Sequence, residues 1–325
     1  MTGPDAPAAG REPPGAFGVL AAGAFLRRMR EGLDAGLELP EAIARGGATL
    51  PRDARDRLRA ALRRLDGEYP EDEWGFDEEF ADLVEPFFGF LYDRWWRVTA
   101  TGTANIPAHG RALLAANHAG ILPWDATMIS MAVLRDHPLP RHPRFLVLNW
   151  AFELPWVSVL IRKFGGVVAS PYNAMRLLEQ DQLVAVFPEG VKGTSKPFGD
   201  RYRLRRFGRG GFVEIALRTG APIVPVAIVG SEEIYPKVGE LPALARLIGA
   251  PFFPVTPFFP ALGPLGVVPL PSRWRIEFCE PIETAGYGPD AANDRTLVLD
   301  LSERVRETIQ QKLYENLVAR GPAFL

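Results

Sequence analysis

From residue 98 the chain alternates short apolar runs with stretches of helical spacing. The runs 111–116 (RALLAA), 144–149 (RFLVLN), 166–169 (GVVA), 183–187 (LVAVF), 222–229 (PIVPVAIV) and 273–278 (RWRIEF) have the length and composition of strands. Between them 124–135, 151–163, 173–181 and 209–219 read as helices. Such alternation predicts an α/β fold, with a mixed, largely parallel sheet flanked by helices. At the C-terminal end Val298, Leu301, Val305, Ile309, Leu313 and Leu317 step by three and four, marking one face of a long helix over 291–319. Asp290 and Asn293 are candidate caps for its start. Ahead of residue 98 the spacing predicts helices over 22–37, 53–66 and 77–97. Leu58, Leu62 and Leu65 line the second. The third ends in Phe87, Phe88, Phe90, Leu91, Tyr92, Trp95 and Trp96, too many large side chains for one stripe. It is either a helix packed on most sides or an amphipathic helix at a lipid interface.

The expected organisation is a disordered tail over 1–16, a helical N-terminal region over 17–97, an α/β domain over 98–285 and a C-terminal helix within 286–325. One stretch breaks the pattern. Residues 247–272 carry no charge and seven prolines, which rules out a straight spanning helix. Such a segment lines a tunnel for a hydrocarbon chain, dips into a bilayer face as a wedge, or straps the core.

Composition narrows the function classes. Among 325 residues, 37 basic and 39 acidic side chains leave a net charge of −2, so the global basic footprint of nucleic-acid binding is missing. Cys279 is alone, which excludes an intrachain disulfide and cysteine-rich metal sites. The histidines are His109, His118, His137 and His142, and none lies in an HExxH pattern. His109, His137 and His142 sit beside prolines or glycine and are expected in surface loops. Residues 1–15 read as a disordered tail and not as a secretory signal, and the apolar stretch 17–25 is too short to span a bilayer, for which roughly 20 residues are needed. A cytoplasmic location is expected.

Two clusters at strand ends carry candidate chemistry. Asn117-His118 follows the run 111–116, and Asp125 opens the next helix. Side chains at the carboxyl ends of strands commonly form the active sites of α/β sheets. A histidine there is a candidate general base, and a nearby carboxylate can hold its tautomer. The second cluster, Phe187-Pro188-Glu189-Gly190, ends the run 183–187 and leads into Val191-Lys192-Gly193-Thr194-Ser195-Lys196.

The ordered set NH…D, FPEG and IVPVAI over about residues 100–235 resembles the glycerophospholipid acyltransferase family, the lysophosphatidate type. The resemblance implies that His118 takes a proton from an acceptor hydroxyl and that Asp125 orients His118. It also implies direct attack on acyl-CoA or an acyl-carrier protein, with no acyl-enzyme and no further cofactor. Asn117, Phe187, Pro188, Glu189, Gly190, Lys192 and Lys196 are then expected around the substrates. The expected partners are an acyl thioester, a lipid acceptor and the cytoplasmic side of a membrane, peripherally or monotopically bound. Nucleic acid is not expected. The chain departs from the family pattern in three places. Six residues separate His118 from Asp125, more than is common. No basic residue stands in 164–170, where an acceptor-phosphate arginine is usual, and Val191-Lys192 replaces Thr-Arg. These changes open the acceptor to diacylglycerol, a long-chain alcohol or another lysolipid.

A basic strip follows FPEG: Lys192, Lys196, Arg201, Arg203, Arg205, Arg206 and Arg209 against Asp200 alone. It suits phosphates of the donor or acceptor, or anionic headgroups. Two rivals remain. One is a lipid or thioester hydrolase using the same His–Asp pair on water; the other is a non-catalytic lipid-binding protein.

Overall fold

The computed structural model describes residues 16–65, 67, 69–119, 122–154, 157–247, 249–250 and 252–324; the tail expected over 1–16 lies almost wholly outside them. Among the described residues nine strands are formed: β1 (Thr99–Thr101), β2 (Ala112–Ala116), β3 (Arg144–Val147), β4 (Gly166–Val168), β5 (Leu183–Val186), β6 (Ile223–Val229), β7 (Gly239–Glu240), β8 (Pro254–Val255) and β9 (Arg275–Phe278). Seven make one sheet in the order β1-β9-β6-β2-β5-β3-β4. From β6 to β4 the strands are parallel, whereas β9 runs antiparallel to β6 and parallel to β1. The sheet is thus mixed and largely parallel, as the alternation predicts. β7 and β8 form a separate antiparallel pair.

The helices are α1 (Ala16–Asp34), α2 (Leu39–Gly47), α3 (Arg52–Leu65), α4 (Glu78–Phe90), α5 (Trp124–Asp136), α6 (Asn149–Phe152), α7 (Val157–Lys163), α8 (Pro171–Glu179), α9 (Val191–Thr194), α10 (Gly211–Thr219), α11 (Pro242–Leu247) and α12 (Arg295–Arg320). The chain divides into two compact units, 1–70 with 78–83 and 71–77 with 84–325. In the first, α1 and α2 meet at Gly46, where an added Cβ would lie 2.8 Å from the Phe25 carbonyl oxygen. α3 reaches Gly47 through the Leu58 side chain.

In the second unit the central strands are buried on both faces and read as continuous apolar runs. Period-two alternation divides them. Leu113, Ala115, Val184, Val186, Ala227 and Val229 pack with α8, α10 and α12. Ala112, Leu114, Leu183, Ala185, Val226 and Ile228 pack with α5 and with Leu91, Tyr92 and Trp96. The helix predicted over 77–97 ends sooner, at Phe90, and a wider π-type turn covers Leu91–Trp95. Leu91, Tyr92 and Trp96 there serve the core, while Phe87 and Phe90 are exposed. The start of α12 is capped by Asp294, whose Oδ1 accepts from the main-chain N–H of Thr296 and Leu297 at 3.0 and 3.1 Å. The expected caps Asp290 and Asn293 instead lie in a preceding 3₁₀ turn.

The apolar segment 247–272 is tied down along its return limb. Trp95 and Trp96 donate their indole N–H to the Pro269 and Leu270 carbonyls, each at 3.1 Å. Tyr235 donates its hydroxyl to the Val267 carbonyl at 2.7 Å. Its outer turn is different, since Phe258, Leu262, Leu265 and Val268 are exposed. No helix among the described residues is long and apolar enough to cross a membrane.

Candidate active site

Parallel pairing sets β2 and β5 level at their carboxyl ends: Ala115 lies opposite Val186, which brings Asn117-His118 beside Phe187-Pro188-Glu189. Asn117 is fully buried and clamps the neighbouring strand. Its Nδ2 donates to the Ile228 carbonyl at 3.0 Å, and its Oδ1 accepts from the Ile228 N–H at 2.7 Å. Both ends of this amide are thereby engaged by β6 main chain, so it anchors the loop that carries His118.

His118 Nδ1 lies 2.7 Å from Asp125 Oδ2. Asp125 is completely buried in the first turn of α5, where the helix dipole favours a negative charge, while one-fifth of the His118 side chain is exposed. Asp125 Oδ2 also accepts from the Ala119 N–H at 3.0 Å, which folds the intervening loop back on the carboxylate. Residues 120–121 of that loop lie outside the described residues. With Nδ1 facing the carboxylate, Nε2 is the imidazole nitrogen left to exchange a proton. The Phe187 ring stacks on the imidazole with centroids 4.2 Å apart, fixing its plane.

Glu189 is buried and works from below. Its Oε1 accepts from the His118 N–H at 3.3 Å and its Oε2 from the Arg205 N–H at 2.7 Å. The Lys196 ammonium lies 3.4 Å from Glu189 and 3.1 Å from Glu232, with all three side chains almost wholly buried. Burial pushes the Glu232 carboxyl up to about 7, against the pull of the adjacent Lys196. Lys196 is therefore not a member of an exposed strip, because its charge is spent between two carboxylates. Lys192, Arg201, Arg203, Arg205, Arg206 and Arg209 are exposed. Gly190, at φ 56°, makes the sharp turn from Glu189 into α9. Pro188 is half-buried in the same turn.

A cleft of about 310 Å³, open solvent included, runs beside this cluster and is lined by Ala119, Gly193, Lys196, Glu232, Tyr235 and Lys237 among others. Glu232, Tyr235 and Gly193 join the site without having been singled out from the sequence. For Glu232 a usable signal was there, a charged pair directly after a buried strand, Ser231-Glu232-Glu233 behind β6; Gly193 and Tyr235 carry none. His137 is not a surface residue: it is buried, and its Nε2 lies 2.9 Å from the Ile106 carbonyl. No group of metal-ligating side chains occurs among the described residues.

The arrangement can accept a proton at Nε2 and hold the resulting imidazolium against a buried carboxylate, which is what activation of a hydroxyl requires. Comparison with known proteins bears on its class. Residues 97–229 match the family described as Acyltransferase. An uncharacterized protein of Mycobacterium leprae is 52% identical over 263 residues, covering 81% of this chain and 72% of its own length. Phytyl ester synthase 2, a chloroplastic protein of Arabidopsis thaliana, is 28% identical over 167 residues, covering 45% of this chain and 23% of its own. The crystal structure of the 1-acyl-sn-glycerophosphate acyltransferase of Thermotoga maritima aligns with a TM-score of 0.47 at 19% identity, covering 94% of this chain and 98% of that one.

Proposed function

We propose that the chain, whose residues 97–229 match the family described as Acyltransferase, transfers a fatty acyl group from an acyl-CoA or acyl-carrier-protein thioester to a hydroxyl of a lysophospholipid or related glycerolipid at a membrane surface. The observation that carries this reading is the 2.7 Å contact between His118 Nδ1 and the buried Asp125 carboxylate, which leaves Nε2 as the base. In the proposed step Nε2 takes the proton of the acceptor hydroxyl as its oxygen attacks the thioester carbonyl. The tetrahedral intermediate then collapses, the C–S bond breaks, and the departing thiolate takes the proton from Nε2. Asp125 stays ionised and stabilises the imidazolium throughout.

A second acceptor class has its own support. At the end of β4 the chain reads Ala169-Ser170, with no basic residue, and Ser170 Oγ is occupied in capping α8 by accepting from the Asn173 N–H at 3.1 Å. Together with the similarity to a phytyl ester synthase, this favours an uncharged acceptor such as diacylglycerol or a long-chain alcohol. The test is a product screen by mass spectrometry with labelled acyl-CoA over lysophosphatidate, other lysolipids, diacylglycerol and long-chain alcohols. An ester on any of these acceptors supports acyl transfer, and its identity chooses between the classes. Acceptor-independent release of free fatty acid alone overturns it in favour of hydrolysis.

A further inference from the structure

We propose that the outer turn of the charge-free segment 247–272 and the arginines of the loop 201–209 form one docking surface for an anionic lipid bilayer, with the apolar turn seated shallowly in the leaflet. The proposal deepens the lipid reading above by assigning the surface that meets the membrane. It rests on that reading only for its biological sense, since binding is measurable without turnover.

Four observations carry it. Phe258, Leu262, Leu265 and Val268 project from one turn, and Leu265 is 73% exposed. The turn closes its own main-chain hydrogen bonds. Thr256 N–H donates to the Phe259 carbonyl at 2.8 Å, Leu262 to Phe258 at 2.8 Å, Gly263 to Pro260 at 2.8 Å and Leu265 to Leu262 at 3.2 Å. A segment entering an apolar phase must satisfy its backbone internally, and these bonds meet part of that need within the exposed stretch. Behind it, the indole bonds of Trp95 and Trp96 and the Tyr235 hydroxyl hold the return limb on the folded unit, so seating the turn requires little reordering.

The charge beside it fixes the kind of surface. The Phe198 N–H donates to the Lys237 carbonyl at 3.0 Å, and the next residue, Val238, donates to the Val255 carbonyl at 2.9 Å, which joins the basic loop to the start of the apolar segment. Across 192–209, six exposed cations face one acid, Asp200, and Arg203 and Arg209 have no carboxylate partner among the described residues. Unpaired arginines on a loop whose start is tied to the strand pair that leads into an exposed apolar turn match a leaflet that offers acyl chains below and anionic headgroups above. The cleft beside His118 is lined from both sides, by Lys196 and Phe198 just ahead of the loop and by Tyr235, which bonds Val267. A lipid leaving the bilayer at this surface would enter there.

The test is flotation of the full chain with phosphatidylcholine vesicles and with phosphatidylcholine–phosphatidylglycerol vesicles. Binding is expected to the mixed vesicles and to fall with added salt. Leu262→Asp with Leu265→Asp, and separately Arg203→Glu with Arg209→Glu, should each lower the bound fraction about tenfold. Because a double substitution can disturb folding, a second measurement uses Leu265→Cys carrying an environment-sensitive fluorophore; the native Cys279 is buried. Its emission should shift to the blue on mixed vesicles and be quenched by shallow spin-labelled lipids. The same label at Val318→Cys on α12 should not respond. Failure to float on mixed vesicles, or flotation with no response at position 265, overturns the proposal whether or not acyl transfer is found.

Discussion

The Glu189 carboxylate receives the main-chain N–H of His118 on one oxygen, at 3.3 Å, and that of Arg205 on the other, at 2.7 Å. One side chain thus joins the loop after β2 to the loop after α9. Glu189→Gln keeps the shape but replaces one acceptor by a donor, so one of those N–H groups loses its partner inside the protein. The cost expected is about 1–3 kcal/mol in stability. Displacement of the His118 backbone is expected to lower kcat about 10- to 100-fold, with a smaller effect on donor KM. Steady-state kinetics beside a thermal melt check both, and an unchanged kcat in the folded variant would remove Glu189 as a positioning residue.

Gly193 presents two opposed effects. It lies in α9, where alanine would favour the helix by about 1 kcal/mol. Yet a Cβ there would stand 2.8 Å from the His118 carbonyl oxygen and 3.0 Å from Glu189 Cβ, neither of them a mobile side-chain tip. The close contact wins: Gly193→Ala is expected to destabilise by about 1–3 kcal/mol and to reduce activity at least tenfold. A melting temperature above that of the parent chain would show that helix propensity dominates.

The buried cluster of Glu189, Lys196 and Glu232 makes stability depend on pH in a definite direction. Glu232 titrates near 7 in the folded protein against an ordinary value of 4.5, so the folded state holds a proton that the unfolded chain has lost in that window. Stability contributed by this group is full below about 4.5 and declines as pH rises through about 7. Glu232→Gln should flatten that decline. Denaturant midpoints of both proteins across the window give the comparison, and parallel curves would count against the assignment.

Tyr235 links the start of α5 to the apolar segment, accepting from Trp124 Nε1 at 3.0 Å and donating to the Val267 carbonyl at 2.7 Å. Tyr235→Phe leaves the indole N–H and that carbonyl without their shared partner. A loss of about 1–2 kcal/mol is expected, with faster proteolysis within 257–268. Equal cleavage rates in the two proteins would show that the hydroxyl does not restrain the segment.

The contrast between what was legible in the sequence and what was not has physical causes. β2, β5 and β6 announce themselves because strands buried on both faces must be continuously apolar. β1 does not, since Thr-Ala-Thr at a sheet edge has neither length nor burial to mark it. The second N-terminal helix, α2, hides because two of its nine residues are glycines at its end and a proline opens it. His118 and Asp125 are readable as a pair because their chemistry is local to one loop. The Lys196–Glu232 pairing is not, because nothing in the spacing of two charges on separate loops says that the fold will bury them together. The same limit made Lys196 look like a member of the basic strip.

His118, held by Asp125, is proposed above as the base for acyl transfer. The most direct measurement is the initial rate of thioester consumption with a lipid acceptor identified in the product screen, for the parent chain, His118→Ala and Asp125→Asn, each shown by its melting curve to be folded. His118→Ala is expected to lower the rate by about 10²–10⁴ and Asp125→Asn to lower it in the same direction. A folded His118→Ala variant that forms ester at the parental rate would contradict that role.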